Sequence, residues 1–197
     1  MRPLITLVLL SNLAIASDLS LTIGGQVTPD KIGLSSPGPQ GQRDRVAQTS
    51  KPAPSFGFQY RQFLTKHFGF VAEASLTPTN TQLGHSALYI WQMERMSING
   101  SAVYRITNRR VSPFIRVGGG TLVTIGGHTK IPGDIAGTDI RAEEIAAVGF
   151  DYNLLKHVSL RIEYIGHFTL NPDFSDHSWK PQHNLISEPK LGLTYTF

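Results

Sequence analysis

The 197-residue chain contains no cysteine. Disulfides, thiolate metal centres and cysteine nucleophiles are thereby excluded, and any chemistry must come from other side chains. Charge is scarce too: Asp, Glu, Lys and Arg make up 16% of the residues, against about 25% in an average soluble domain. The 18 basic residues outnumber the 14 acidic ones, but they are scattered, and no Lys/Arg run is longer than Arg109-Arg110. A nucleic-acid surface needs a basic patch or stripe, so no nucleic-acid partner is expected. Beyond the N-terminus there is also no apolar stretch of the roughly 20 residues that a membrane-spanning helix requires.

The N-terminus reads as an export signal. Met1-Arg2-Pro3 is a short positive start, Leu4 to Leu10 an apolar run, and Ala14-Ile15-Ala16 a small-x-small cleavage site. The apolar run is broken by Ser11-Asn12 before it could span as a helix. The expected organisation is a signal peptide over 1–16 and one domain over 17–197.

What the mature chain does have is alternation. Leu19, Leu21, Ile23 and Val27 alternate with Asp18, Ser20, Thr22 and Gln26, the period of a strand with two unlike faces. The beat returns at Phe56 to Arg61, Phe68 to Leu76, Arg95 to Ile106, Ile115 to Gly118, Ala146 to Tyr152, Val158 to Phe168 and Lys190 to Phe197, giving eight strands. Three connections are short, through Thr65-Lys66-His67, Thr107 to Arg110 and Asn153 to His157. The other four, Thr28 to Pro54, Thr77 to Gln92, Thr124 to Gly137 and Asn171 to Ile186, are long and rich in turn-forming residues. An even strand count with short turns at one end and long loops at the other describes an up-and-down transmembrane barrel, its short turns periplasmic and its long loops extracellular. The short-turn hairpins also look like degenerate copies of one unit, with Tyr60-Arg61, Tyr104-Arg105 and Asp151-Tyr152 each preceding a turn.

One face of these strands is apolar. The other carries Arg61, Glu73, Arg95, Arg105, Arg116, Asp151, Arg161 and Glu163. A bilayer midplane rejects Arg or Lys at a cost of roughly 2–4 kcal/mol, so these eight are expected inside the barrel as a lumenal charge network that leaves no open pore. A soluble exported ligand-binding barrel would invert the faces. Aromatic residues near the strand ends suit interfacial girdles and favour the membrane.

The C-terminal segment Lys190-Leu191-Gly192-Leu193-Thr194-Tyr195-Thr196-Phe197 resembles the terminal signal of bacterial outer-membrane barrels at Lys190, Gly192, Tyr195 and Phe197. Together with Pro113 to Gly120 and Gly149 to Tyr152, it makes essentially the whole mature chain similar to the OmpA/OmpX-type eight-stranded family. The resemblance implies an all-β, eight-stranded antiparallel transmembrane barrel in a Gram-negative-type outer membrane. It further implies contact with outer-membrane lipid and lipopolysaccharide, and handling by the barrel-assembly machinery and periplasmic chaperones. The expected product is the barrel alone, without cofactor, its role structural or exercised through the extracellular loops.

His85, His128, His167, His177 and His183 lie in long loops or at strand ends without a metal-ligand spacing, and read as solvated histidines. Asp176-His177-Ser178 has triad residue types, but neighbours in a loop do not form a triad among themselves. Gly118-Gly119-Gly120 precedes no helix and is not a phosphate loop; such glycines let strands bend and pack closely. The segment Tyr164 to Asn171 is similar to the His-x-Ser-Asn signature of outer-membrane lipid A deacylases, with His167 as base, Thr169 in place of the serine, and Asp173, Asp176 or Glu188 as a third member. A His and a hydroxyl two apart on a strand share a face, but the register places both inside, away from lipid, and Asn171 is displaced by one residue. A non-enzymatic scaffold is expected, with a lipid A deacylase-like hydrolase acting through His167 and Thr169 as the alternative.

Overall fold

The computed structural model describes residues 16–28, 31–34, 45–50, 52–83, 90–126, 137–170 and 183–197. Among them are ten strands and no helix: β1 (Ala16–Gln26), β2 (Lys31–Leu34), β3 (Arg45–Ser50), β4 (Ala53–Phe63), β5 (Phe68–Leu83), β6 (Ile90–Arg105), β7 (Val111–Gly126), β8 (Gly137–Asn153), β9 (Val158–Leu170) and β10 (His183–Thr196). Eight of these, β1 and β4 to β10, pair antiparallel in succession, and β10 returns to β1 from Asp18↔Thr196 to Gly24↔Lys190. The seam is also tied by side chains: the hydroxyls of Ser20 and Thr194 lie 2.8 Å apart. The result is a closed, all-antiparallel, eight-stranded up-and-down barrel.

Strands β8 and β10 begin at Gly137 and His183, ahead of the expected Ala146 and Lys190, and two further features depart from the sequence reading. The stretch Thr28 to Pro54, expected as loop, contains β2 and β3, a hairpin whose second strand joins the far end of β5 from Gln48↔Leu83 to Ser50↔Thr81. The β5–β6 ladder also runs on to Gln82↔Ile90, well beyond the expected loop start at Thr77. At the far end of β5 the run Thr79-Asn80-Thr81-Gln82 lacks the beat of unlike faces, so a ladder held there by backbone pairing leaves no periodic signal in the sequence.

Within the barrel the beat sets the faces. Val117, Leu193 and Ile23 point outward and are 60%, 58% and 54% exposed, while Arg61, Arg116 and Arg161 point inward and are at most 2% exposed. The apolar-inside alternative is thereby overturned. The interior is not uniformly polar, however. Phe63, Val71, Val103 and Phe114 form a buried apolar cluster near the short-turn end, and Ile145, Ala147 and Ile165 form a second.

Gly118 and Gly120 of β7 earn their place by close approach. A Cβ on Gly118 would collide with the Gly100 carbonyl oxygen and Ser101 of β6, and one on Gly120 with the Ile98 carbonyl oxygen and Asn99. The β6 backbone can approach β7 this closely only because these side chains are missing.

Candidate functional site

The inward residues form one connected polar column. Near the short-turn end, Arg61 from β4 donates through Nε and Nη2 to Asp18 of β1 at 2.8 and 2.5 Å, and Nη2 also reaches Asp151 of β8 at 2.7 Å. The other oxygen of Asp151 accepts from Arg161 Nε of β9 at 2.8 Å, and Arg161 Nη1 donates to Gln59 Oε1 at 2.5 Å. Aromatic faces complete this level: the Arg105 guanidinium lies 3.8 Å from the Phe63 ring centroid, and those of Arg61 and Arg161 each lie 5.6 Å from that of Phe114. Cation–π contact thus holds the planar groups between carboxylates and rings.

Gln59 links upward, its amide donating to Glu163 at 2.9 Å. Arg116 bridges Glu163 at 3.3 Å and Glu73 at 2.6 Å. Lys190 contacts Glu73 and lies 3.2 Å from Glu188. Glu188 then meets His167 Nε2 at 2.8 Å, and His167 Nδ1 lies 3.1 Å from Glu143, which also holds the Ser97 hydroxyl. A ring flanked by two acceptor carboxylates is satisfied when both its nitrogens donate.

The eight expected network residues all face inward, and seven of them are buried; Arg105, at the mouth, is partly exposed. Six join through short ion pairs or hydrogen bonds. Arg105 is looser, 3.6 Å from Asp18. Arg95 stands apart near the long-loop end: it donates to Thr28 Oγ1 at 3.0 Å and makes no ion pair among the described residues. Asp18, Gln59, Glu143, Glu188 and Lys190 complete the column although the sequence reading did not place them in it. Asp18 alternates with Leu19 and Leu21, and Gln59 with Phe58 and Tyr60, so the two-residue beat points to both. Glu143 and Glu188 lie on strand extensions beyond the expected starts, and Lys190 falls on the polar side of the last strand's alternation as well as in the terminal signal.

Among the described residues, seven carboxylates (Asp18, Glu73, Asp139, Glu143, Asp151, Glu163, Glu188) and seven cations (Arg61, Arg95, Arg105, Arg116, Arg141, Arg161, Lys190) lie in inward register, Asp139 and Arg141 paired at 2.9 Å and partly exposed, with His167 between two of the acids. At the short-turn mouth a cavity of about 310 Å³ opens onto Arg105, Asn108 and Lys156, with Asp18, Arg61 and Asp151 also lining it. Among the described residues, no group of three or more His, Asp or Glu is placed to hold a metal ion.

His167 and Thr169 do not form a base–nucleophile pair. Both are buried, and the Thr169 hydroxyl donates to the Ala142 carbonyl at 3.1 Å while His167 is engaged by Glu143 and Glu188. Of the proposed third members, Glu188 touches His167; Asp173 and Asp176 lie outside the described residues, as do His85, His128 and His177. In the terminal segment Lys190 and Gly192 face inward, whereas Tyr195 and Phe197 face outward with rings packed edge to face at 5.2 Å.

Comparison with solved structures bears on this geometry. The chain is similar to the attachment invasion locus protein Ail of Yersinia pestis, solved with the heparin analogue sucrose octasulfate (TM-score 0.54, 18% identity, 92% of this chain and 99% of that one). It is similar to Neisserial surface protein A (0.63, 11%, 92% and 99%) and to the outer membrane protein OprG of Pseudomonas aeruginosa (0.64, 12%, 92% and 95%). No protein-family profile matches the sequence, and no curated protein is significantly similar to it. At these identities the likeness establishes the fold, that of the small eight-stranded outer-membrane barrels.

Proposed function

We propose that the chain is an integral outer-membrane β-barrel, exported on a leader spanning 1–16, that acts as a closed scaffold for loops at the cell surface. One observation carries the reading: the barrel is built inside out. Its outer wall is largely apolar, including Leu21, Ile23, Val117, Val148 and Leu193, while Asp18, Glu73, Asp151, Glu163 and Glu188 lie inside with Arg61, Arg116, Arg161 and Lys190. In water this arrangement would expose the apolar wall and bury the ions. In a bilayer both are placed favourably, because the charges avoid hydrocarbon and satisfy one another.

The column also supports a lumen without a conducting path. An eight-stranded barrel is just wide enough for side chains to fill. Here Arg61, Arg116, Arg161, Glu163 and Glu188 are all at most 2% exposed. The scaffold reading leaves recognition to the long loops, which a rigid barrel presents at one end. Surface contact with lipopolysaccharide and delivery by the barrel-assembly machinery belong to the same proposal, as does a role for Lys190, Gly192, Tyr195 and Phe197 as the assembly signal.

The surroundings of His167 favour a structural role over lipid hydrolysis. A general base needs a nitrogen free to take the nucleophile's proton, and both of its nitrogens already face carboxylates. The test combines two measurements on refolded protein: gel mobility before and after boiling, and conductance in planar bilayers. A heat-dependent mobility shift without steady channel activity is expected; unchanged mobility would overturn the membrane-barrel reading, and large steady conductance the closed lumen.

A further inference from the structure

The three short turns repeat one construction that the lumen does not use. Each ends in a basic pair just before the next strand begins: Lys66-His67, Arg109-Arg110 and Lys156-His157. The second residue of each pair lies against a tyrosine at the end of the adjacent strand. His67 stacks on Tyr104 at 5.9 Å, His157 stacks on Tyr195 at 6.0 Å, and the Arg110 guanidinium sits 5.1 Å from the Tyr152 ring centroid. The backbone repeats as well: the carbonyls of His67, Arg110 and His157 accept from the N–H of the residue following each tyrosine, at 2.7, 2.8 and 2.9 Å. In the two histidine copies, Nδ1 faces the carbonyl of that same residue, Arg105 or Thr196, at 2.8 and 2.9 Å.

This fixes the second residue on the outer wall and leaves the first, Lys66, Arg109 or Lys156, exposed at the rim. No Asp or Glu occurs in residues 64–67, 106–110 or 153–157. The same turns present Leu64, Ile106, Leu154 and Leu155, between 39% and 69% exposed.

From this repeat we propose that the periplasmic rim binds anionic glycerophospholipid headgroups of the surrounding inner leaflet. The inference rests on the membrane reading above. Cations spaced around the circumference at alternate hairpins, interleaved with exposed aliphatic side chains, match a partner that encircles the barrel and offers both negative headgroups and hydrocarbon. Each exposed Lys or Arg at an anionic membrane surface favours binding by about fivefold, and salt screens the effect.

The test uses full-length mature protein in nanodiscs of equimolar dioleoyl phosphatidylglycerol and dioleoyl phosphatidylcholine. Retained lipids are counted by mass spectrometry after release, and insertion is checked first by the heat-dependent gel shift. Wild type is expected to retain phosphatidylglycerol at least about fivefold over phosphatidylcholine. The combined variant Lys66→Gln, Arg109→Gln, Arg110→Gln and Lys156→Gln should insert and retain the two lipids equally, whereas Lys66→Arg with Lys156→Arg should keep the preference. An inserted wild type without preference, or a preference that survives the four glutamines, overturns the lipid site and leaves the barrel reading standing. Failure of wild type to insert overturns both.

Discussion

Glu73→Gln probes the packing of the lumen most sharply. The Glu73 carboxylate accepts from Arg116 Nη2 at 2.6 Å and contacts the Lys190 ammonium, all three groups being buried. Removing one partner of a buried ion pair costs about 3–5 kcal/mol. Here neither cation is left without an acid, since Arg116 keeps Glu163 at 3.3 Å and Lys190 keeps Glu188 at 3.2 Å. The expected loss is therefore at the low end, about 3 kcal/mol. Lys190→Met should cost a similar amount, because Glu73 retains Arg116 and Glu188 retains His167. As the two residues touch, the double variant should fall short of additivity by about 1–3 kcal/mol. Urea titration of the refolded barrel in lipid vesicles, followed by the folded gel band, measures all three variants. Strict additivity with single losses below about 1 kcal/mol is what a solvent-screened pair gives, and would refute a dry, ion-paired lumen.

Other consequences concern separate parts of the barrel. Gly118→Ala should destabilise it by about 1–3 kcal/mol in the same titration, because the added methyl meets the β6 backbone rather than a flexible side chain. His167→Ala should cost about 2 kcal/mol by leaving Glu143 and Glu188 without their shared donor; mass spectrometry of lipid A from cells expressing either form should show the same acyl pattern, and acyl loss with wild type alone would make the chain a hydrolase. Deleting Phe197 should sharply lower the amount recovered in outer-membrane fractions by immunoblot, with no change counting against the terminal-signal proposal.

The barrel was legible because its wall separates two unlike media. Along β9, Leu160, Ile162 and Tyr164 face out while Arg161 and Glu163 face in, so the two-residue beat carries the register, the faces and most of the charge network. Where both faces are polar that contrast disappears. The far end of β5 was accordingly hidden, β2 at four residues is too short for its beat to stand out, and with the expected strand six beginning at Ala146, Glu143 was missed as a partner of His167. Apolar residues turned inward were obscured for a different reason. Phe63 and Phe114 share the face of Arg61 and Arg116 by register, but only their proximity across the lumen reveals them as surfaces for the guanidinium groups. The repeated turn was partly visible as Tyr-Arg and Asp-Tyr dipeptides. Its stacking of His67, Arg110 and His157 on tyrosines from the next hairpin required the fold.

The absence of native cysteine makes the wall directly measurable. Single cysteines at 159–165 of β9, spin-labelled after reconstitution in lipid vesicles, report collision with membrane-dissolved oxygen or with a water-soluble nickel chelate. Leu160, Ile162 and Tyr164 should be oxygen-accessible and shielded from the chelate, while Ser159, Arg161, Glu163 and Ile165 should show little oxygen contact, giving a two-residue oscillation. An oscillation of opposite phase, or chelate access at 160, 162 and 164, would contradict an apolar wall facing lipid around a charged interior.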